Sequence, residues 1–148
     1  RLWESSTSVA ELLVRKGAKK GDRVMIAYPF GLDFIIGFYG CLRLGVIPCS
    51  VYAPNPEKSK AQHSFQQFND QVKDAGATYA LTTAIFMRIM QGVSLLRNVR
   101  TEVKWLATDV LKRTSNPKTG FDDLPEPCDD AFVQYSSGST GDPKVVVI

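Results

Sequence analysis

The chain has 148 residues, 44% of them hydrophobic and 22% charged, which is the balance of one globular domain. Its 18 basic and 15 acidic residues leave a net charge of +3, too small to indicate a surface that binds nucleic acid, and no apolar stretch approaches the roughly 20 residues of a membrane-spanning helix. Three cysteines without C-x-x-C spacing and one histidine, His63, without a partner pattern argue against a disulfide framework and a metal site, so we expect no metal ligands and a reducing, cytoplasmic location.

The first predicted element is a helix. Residues 8–11 read SVAE, which is the form of a capping box, and apolar residues follow at helical spacing. We therefore predict a helix that starts at Ser8 and is closed by Gly17. A basic cluster that includes Lys20 flanks the turn between Gly17 and Gly21, and we interpret it as solvated.

Strand and helix alternate through the next part of the chain. The run GDRVMIAY predicts a buried strand that starts near Arg23, and apolar residues then recur at helical spacing from Leu32 until Gly45. Residues 47–52 return to an extended run. The two prolines of YAPNP, residues 52–56, then favour a rigid corner.

The alternation continues beyond this corner. A third helix, ended by Gly76, is predicted from the apolar residues Ala61, Phe65, Phe68, Val72 and Ala75. A short strand over 78–83 follows, and Thr83 is placed to cap another helix. Residues 103–108 are a further strand candidate, and the polar stretch 109–130 is interpreted as a solvated connection. Repeated strand-helix-strand order predicts an α/β fold with an open, mostly parallel sheet and helices on its faces.

The stretch YSSGSTGDPK, residues 135–144, stands between two apolar runs, AFVQY and VVVI. Tracts of Gly and Ser make flexible linkers, and Gly138 and Gly141 can supply the positive φ angles of a hairpin turn. A linker does not normally carry β-type residues against both ends. A tight hairpin needs roughly two to five loop residues, whereas nine lie between Tyr135 and Val145. The surplus length favours a cradle for phosphate.

The residue types of this loop fit an anion. Glycines let backbone N–H groups point at a phosphate, Lys144 supplies a positive charge, and four further residues supply hydroxyl donors. Those four are Ser136, Ser137, Ser139 and Thr140. A Walker P-loop is excluded, because Pro143 and a β-type run stand where that motif opens a helix. A KH-type G-x-x-G loop at 138–141 needs helices on both flanks, and these flanks are strand-like.

The run VQYSSGSTGDPK, residues 133–144, resembles the AMP-binding signature of the adenylate-forming superfamily, which includes acyl- and aryl-CoA ligases, peptide-synthetase adenylation domains and firefly luciferase. Residues 21–56 are similar in order and spacing to the amino-terminal portion of fatty acyl-AMP ligases, long-chain acyl-CoA synthetases and disco-interacting protein domains, with a GDRV strand, a helix bearing F-x-G-C-L-x-x-G and a proline-rich corner. The resemblance implies that residues 1–148 are the amino-terminal part of an AMP-binding domain, truncated just after the phosphate-binding loop.

The resemblance also implies a two-step reaction. A carboxylate attacks the α-phosphate of ATP to give an acyl adenylate and pyrophosphate, and a thiol or amine then takes the acyl group. ATP and Mg²⁺ are the implied cofactors, a fatty acid the implied substrate, and coenzyme A or an acyl carrier protein the implied acceptor. The cofactor-binding residues would be Ser136, Ser137, Gly138, Ser139, Thr140, Gly141 and Lys144. None of them is a nucleophile, so no catalytic residue is assigned.

The sequence departs from the family pattern directly after Lys144. Members of the family usually have Gly at the next position, whereas this chain has Val145, and a β-branched residue stiffens the backbone. The magnesium ligand, the adenine and ribose contacts, the acyl pocket and a late lysine are expected beyond Ile148, so we expect the chain alone to be inactive. A degenerate homologue that binds acyl or nucleotide ligands without turnover is the alternative function.

Overall fold

In the computed structural model, helices and strands alternate along the chain. The structure describes residues 1–29, 31–57, 59–114, 116, 121, 123–136 and 144–148. The helices are α1 (Leu2–Arg15), α2 (Leu32–Leu44), α3 (Ala61–Ala75) and α4 (Ala84–Arg97). The strands are β1 (Arg23–Ile26), β2 (Ile47–Ser50), β3 (Tyr79–Thr82), β4 (Lys104–Ala107), β5 (Val133–Ser136) and β6 (Lys144–Val147).

The described strands form a single sheet in the order β4-β3-β1-β2-β5-β6. Neighbours from β4 to β5 run parallel, and β6 pairs antiparallel with β5. Helices α2, α3 and α4 each connect one parallel strand to the next along the chain, as parallel pairs require. The predicted α/β fold with an open, mostly parallel sheet is therefore confirmed.

Both faces of the sheet are covered by helices. On β1, Val24 and Ile26 pack with the buried side chains of α1 and α2, whereas Met25 packs with those of α3. Successive residues of a strand point to opposite faces, so this alternation separates two hydrophobic cores. Burial on both faces explains why β1 reads as a continuous apolar run in the sequence.

Helix α1 begins at Leu2, well before the predicted start at Ser8. Ser6, Thr7 and Ser8 are buried within it. Their hydroxyls donate to backbone carbonyls one turn earlier, and those of Ser6 and Thr7 reach the Trp3 oxygen at 3.0 and 2.7 Å. Serine and threonine can satisfy their hydroxyls in this way inside a helix. The prediction of a start at Ser8 was therefore wrong, because it treated residues of the helix interior as caps.

The other predicted helix boundaries are confirmed. Gly45 and Gly76 follow α2 and α3 with φ of 67° and 65°, the left-handed conformation that glycine adopts without strain. Gly17, just after α1, has φ of 85°. Thr83 caps α4, and its Oγ1 accepts a hydrogen bond from the backbone N–H of Phe86 at 3.3 Å.

Described residues of the connection between β4 and β5 make hydrogen bonds and ion pairs to the rest of the domain. The Thr114 N–H donates to Ser8 Oγ at 3.0 Å. Lys20 Nζ lies 2.9 Å from Asp129 Oδ2 and 3.5 Å from Asp123 Oδ1, and the hydrogen bond to Asp129 is the main cause that raises the pKa of Lys20. The turn with Lys20, interpreted from the sequence as solvated, therefore anchors the segment that leads into β5.

Candidate functional site

Strands β5 and β6 form an antiparallel hairpin around the predicted phosphate loop. The ladder pairs Tyr135 with Val145 and ends on the pair Ser136 and Lys144. The structure thus describes the backbone of Ser136 and the exposed residue Lys144. The remaining predicted binding residues, Ser137, Gly138, Ser139, Thr140 and Gly141, lie outside the described residues.

The pairing of β5 with β6 bears on the choice between a hairpin turn and a phosphate cradle. A hairpin and a phosphate cradle were treated as alternatives, but the flanking strands do pair, and the seven residues 137–143 connect them. Seven is more than the roughly two to five residues of a tight hairpin. A hairpin with a long loop is therefore compatible with a phosphate cradle, and the two hypotheses no longer compete.

This loop leaves the sheet at the edge where open α/β sheets bind ligands. The chain crosses from β1 to β2 through α2 and then returns past β1 to β3 through α3, so the strand order reverses beside β1. Ligands of such sheets lie outside the carboxyl ends of the strands near a reversal. Because β5 is parallel to β2, the segment after Ser136 starts at this same edge.

A buried polar contact lies just beyond the carboxyl ends of β1 and β4. The hydroxyl oxygens of Tyr28 and Thr108 are 2.7 Å apart, and both residues are buried. Burial is the main cause that raises the pKa of Tyr28, so its phenol stays protonated near neutral pH. A Cβ on Gly37 would lie 2.6 Å from the Tyr28 oxygen, so a larger residue there would have to displace the Tyr28 ring.

The contact between Tyr28 and Thr108, at the edge of the sheet where ligands are expected, was not predicted from the sequence. One signal was available, because Tyr28 closes the apolar run that predicted β1 and residues that follow parallel strands share one edge of the sheet. Its partner Thr108 follows β4, which is not adjacent to β1 in the sheet, so only the strand order brings the two together.

Val145, the departure from the family pattern, lies in an extended strand. It is the second residue of β6, pairs with Tyr135, and is 45% exposed. Branched side chains suit extended backbone, so valine fits this position without strain. The stiffness of Val145 therefore supports the ladder that carries Lys144.

Two cavities lie away from this hairpin. One of about 380 Å³ lies between α3, α4 and β4 and is lined by both apolar and polar residues, among them Met90 and Trp105. The other, of about 320 Å³, lies near the amino ends of β1 and β2, with Lys20, Arg23 and Asp129 in its wall. Neither is lined by a described residue of β5 or β6.

Neither a cluster of metal ligands nor a membrane-spanning helix occurs in the part of the chain that the structure describes. It holds no group of three or more His, Cys, Asp or Glu side chains placed to bind a metal ion, and His63 is exposed. None of its helices has both the length and the apolar character needed to cross a bilayer. Cys41 and Cys49 are buried free thiols, and Cys128 is an exposed one.

Curated proteins similar to this chain are much longer than it is. It is 28% identical to the medium-chain-fatty-acid–[acyl-carrier-protein] ligase JamA of Moorena producens, over 99% of this chain and 24% of that protein. It is 36% identical to disco-interacting protein 2 homolog B-A of Danio rerio, over 70% of this chain and 7% of that protein. The chain therefore spans about a quarter or less of the length of these relatives.

Solved structures share the fold of this chain. A fatty acyl-adenylate ligase from L. pneumophila, in complex with acyl adenylate and pyrophosphate, superimposes with a TM-score of 0.74 at 25% identity, over 99% of this chain and 24% of that one. The McyG A-PCP structure complexed with phenylalanyl-adenylate gives a TM-score of 0.77 at 23% identity, over 99% and 23%. The six-stranded, mostly parallel sheet and its helices match the amino-terminal domain of adenylate-forming enzymes.

A family model described as AMP-binding enzyme matches residues 1–148. This match spans the whole chain and agrees with the loop sequence, the fold and the similar structures. The chain belongs to the AMP-binding enzyme family of adenylate-forming ligases.

Proposed function

We propose that the full-length protein activates a fatty acid with ATP. A carboxylate oxygen attacks the α-phosphorus of ATP, the new P–O bond forms, and the bond to the β-phosphate oxygen breaks with its electron pair leaving on pyrophosphate. The products are an acyl adenylate and pyrophosphate. Family membership supports the reaction class, and the relative JamA, named as a medium-chain-fatty-acid ligase, supports the substrate class.

The observation that carries this proposal is the position of the hairpin. Its loop begins at the carboxyl end of β5, and Lys144 pairs with Ser136 across the mouth of the loop. A cation held there by two paired strands is suited to offset negative charge that accumulates on pyrophosphate as it leaves. In the proposed site the hydroxyls and N–H groups of residues 136–141 assist it, in the roles predicted from the sequence.

Mg²⁺ is part of the proposal as a counter-ion of the ATP phosphates. When bound it would neutralise phosphate charge. The described residues hold no cluster of metal ligands, so we assign no magnesium ligand within them. In the proposed site, the residues of this chain that order the substrate phosphates are those of the hairpin loop, in the roles predicted from the sequence.

The second step transfers the acyl group from the adenylate to a thiol. Attack of the thiolate on the acyl carbon releases AMP. An acyl carrier protein as the acceptor is supported by the name of JamA, and coenzyme A is the other acceptor in the proposal. A cytoplasmic location also belongs to the proposal, supported by the free thiols Cys41, Cys49 and Cys128.

ATP–pyrophosphate exchange by the full-length protein tests this function directly. Adenylate formation is reversible, so labelled pyrophosphate enters ATP only when a carboxylic acid is activated. We expect exchange that depends on added medium-chain or long-chain fatty acid and is absent with the matching fatty alcohol. If ATP and fatty acid bind without exchange, the non-catalytic alternative replaces this proposal.

The non-catalytic alternative depends on Val145, and replacing this residue tests it. Because Val145 fits an extended strand, we expect Val145→Gly to leave exchange within about twofold of the unchanged protein or to lower it, since glycine weakens a strand. Val146→Gly, one residue further along β6, is the matched control for loss of a valine. A large gain of exchange in Val145→Gly alone would show that valine impairs the site.

A further inference from the structure

Tyr135 connects the root of the hairpin to a helix elsewhere in the chain. Its ring packs against the core between the sheet and α3. Its hydroxyl oxygen lies 3.1 Å from Asp74 Oδ2 and 3.2 Å from the backbone oxygen of Gln71, both in α3. Tyr135 directly precedes the phosphate loop, and it is hydrogen-bonded to the last turns of α3.

The chemistry of these groups favours a strong hydrogen bond. A phenol has one proton to donate, and a carboxylate only accepts, so Asp74 is the better of the two acceptors. The Gln71 carbonyl also belongs to the hydrogen-bond ladder of the helix. Burial first, and then the Asp74 carboxylate, raise the pKa of Tyr135, so the phenol stays a donor at any physiological pH.

Strand β6 depends on β5 for its position. Among the described strands, β6 pairs with β5 alone and forms the edge of the sheet. The pair of Tyr135 and Val145 is next to the terminal pair of Ser136 and Lys144. A displacement of Tyr135 is therefore transmitted to Lys144 through two adjacent rungs of one ladder.

We infer that Tyr135 is a positioning residue, which holds Lys144 in register at the mouth of the loop through its hydrogen bond to Asp74. The inference rests on the proposed function, because it assigns Lys144 to the charge of pyrophosphate. Tyr135 in β5 and Asp74 in α3 are 61 positions apart in the sequence, so the signature sequence does not identify them as partners.

A double-mutant cycle in the full-length protein tests this coupling. Tyr135→Phe keeps the ring and removes the donor, so we expect turnover in ATP–pyrophosphate exchange to fall roughly fivefold to tenfold. In a Lys144→Ala background the same change should cost less than about 1.5-fold, because the residue it positions is gone. Losses that multiply independently would overturn the inference.

Variants of two other residues separate positioning from a general loss of stability. Tyr79→Phe removes another tyrosine hydrogen bond, from Tyr79 to the Lys16 carbonyl at 3.0 Å, which lies away from the hairpin, and should leave turnover in ATP–pyrophosphate exchange unchanged. Asp74→Leu should lower turnover, by no more than Tyr135→Phe does because the Gln71 carbonyl remains as an acceptor, and Asp74→Asn should lower it less than Asp74→Leu, because an amide oxygen still accepts. Equal effects of Asp74→Leu and Asp74→Asn would contradict the role of this bond.

Hydrogen exchange of the backbone amides distinguishes failure of this inference from failure of the proposed function. Tyr135→Phe should speed exchange of the β5 and β6 amides by roughly fivefold, and Tyr79→Phe should not. This result does not require turnover. If the unchanged protein lacks ATP–pyrophosphate exchange, the proposed function fails. The role of Tyr135 in fixing Lys144 is then tested by the hydrogen-exchange rates of the β5 and β6 amides alone. If the amides of Tyr135→Phe exchange like those of the unchanged protein, the inference is overturned.

Discussion

Replacing Lys144 by alanine in the full-length protein is expected to lower turnover in ATP–pyrophosphate exchange by roughly 30-fold to 1000-fold, which corresponds to about 2–4 kcal/mol of transition-state stabilisation. The reason is that Lys144 lies at the mouth of the loop, opposite Ser136, where its charge would meet pyrophosphate. The acyl chain has no need of this charge. The apparent affinity for the fatty acid should therefore stay within about twofold.

The chain offers a matched control for this experiment. Lys104 is also an exposed lysine at the first position of a strand, but it begins β4, at the opposite edge of the sheet from β6. Lys104→Ala changes the net charge of the protein equally and should leave turnover unaltered. A second variant, Lys144→Arg, keeps a cation and should retain part of the activity. Loss of acyl affinity in parallel with turnover would contradict the assignment of Lys144 to pyrophosphate.

Much of the fold follows from local patterns that the sequence displays. The apolar positions predicted for α3 are the ones that the helix buries: Ala61, Phe65, Phe68, Val72 and Ala75. The helix ends where glycine adopts the left-handed conformation. Such features depend on residues only a few positions apart, so periodicity and end signals were sufficient to predict them.

Features that depend on distant residues were not predictable in the same way. The hydroxyls of α1 resemble caps in sequence, and the structure distinguishes a helix interior from a helix start by their burial, which for Ser8 is against the segment that contains Thr114. The bond of Tyr135 to Asp74 depends on β5 lying beside β2, which strand-helix alternation does not specify. Alternation predicts that a parallel sheet forms, but it leaves the order of the strands open.

The candidate site was also predictable from the sequence only where it depends on residues that are close together in the chain. The loop sequence predicted a phosphate-binding function, and the structure adds the hairpin pairing that brings Lys144 opposite Ser136. The signature contains Tyr135 but says nothing of its partner in α3. A motif identifies groups that could contact a ligand, whereas the contacts that hold those groups in place come from the rest of the fold.

A glycine of α2 provides the second large effect that we expect. A Cβ on Gly40 would lie 2.6 Å from both Cβ and Cγ1 of Val9 and 3.2 Å from the Ser6 carbonyl oxygen. Val9 is fully buried in α1, and its Cβ is fixed to the helix backbone. The side chain therefore cannot move away, and α1 and α2 would have to separate. This contact explains the first glycine of the F-x-G-C-L-x-x-G pattern, which is Gly40.

We expect Gly40→Ala to destabilise the domain by about 2–3 kcal/mol. Alanine gains up to about 1 kcal/mol of helix propensity over glycine, but forcing a methyl group into a packed core costs typically 1–3 kcal/mol or more, and separation of two helices lies at the upper end of that range. The clash therefore outweighs the gain in propensity. Native-state hydrogen exchange of the α1 and β1 amides in the full-length protein measures this free energy locally.

Gly92→Ala separates the effect of close packing from that of helix propensity. Gly92 lies within α4, and a Cβ there would meet nothing within 4 Å. This substitution should stabilise α4 by about 0.5–1 kcal/mol, because only the propensity difference remains. Opposite signs for the two substitutions follow from the presence of Val9 beside one glycine and open space beside the other. If Gly40→Ala were as stable as Gly92→Ala, α1 and α2 would not be in the close contact that the structure shows, and the face of the sheet that they cover would have to be packed differently.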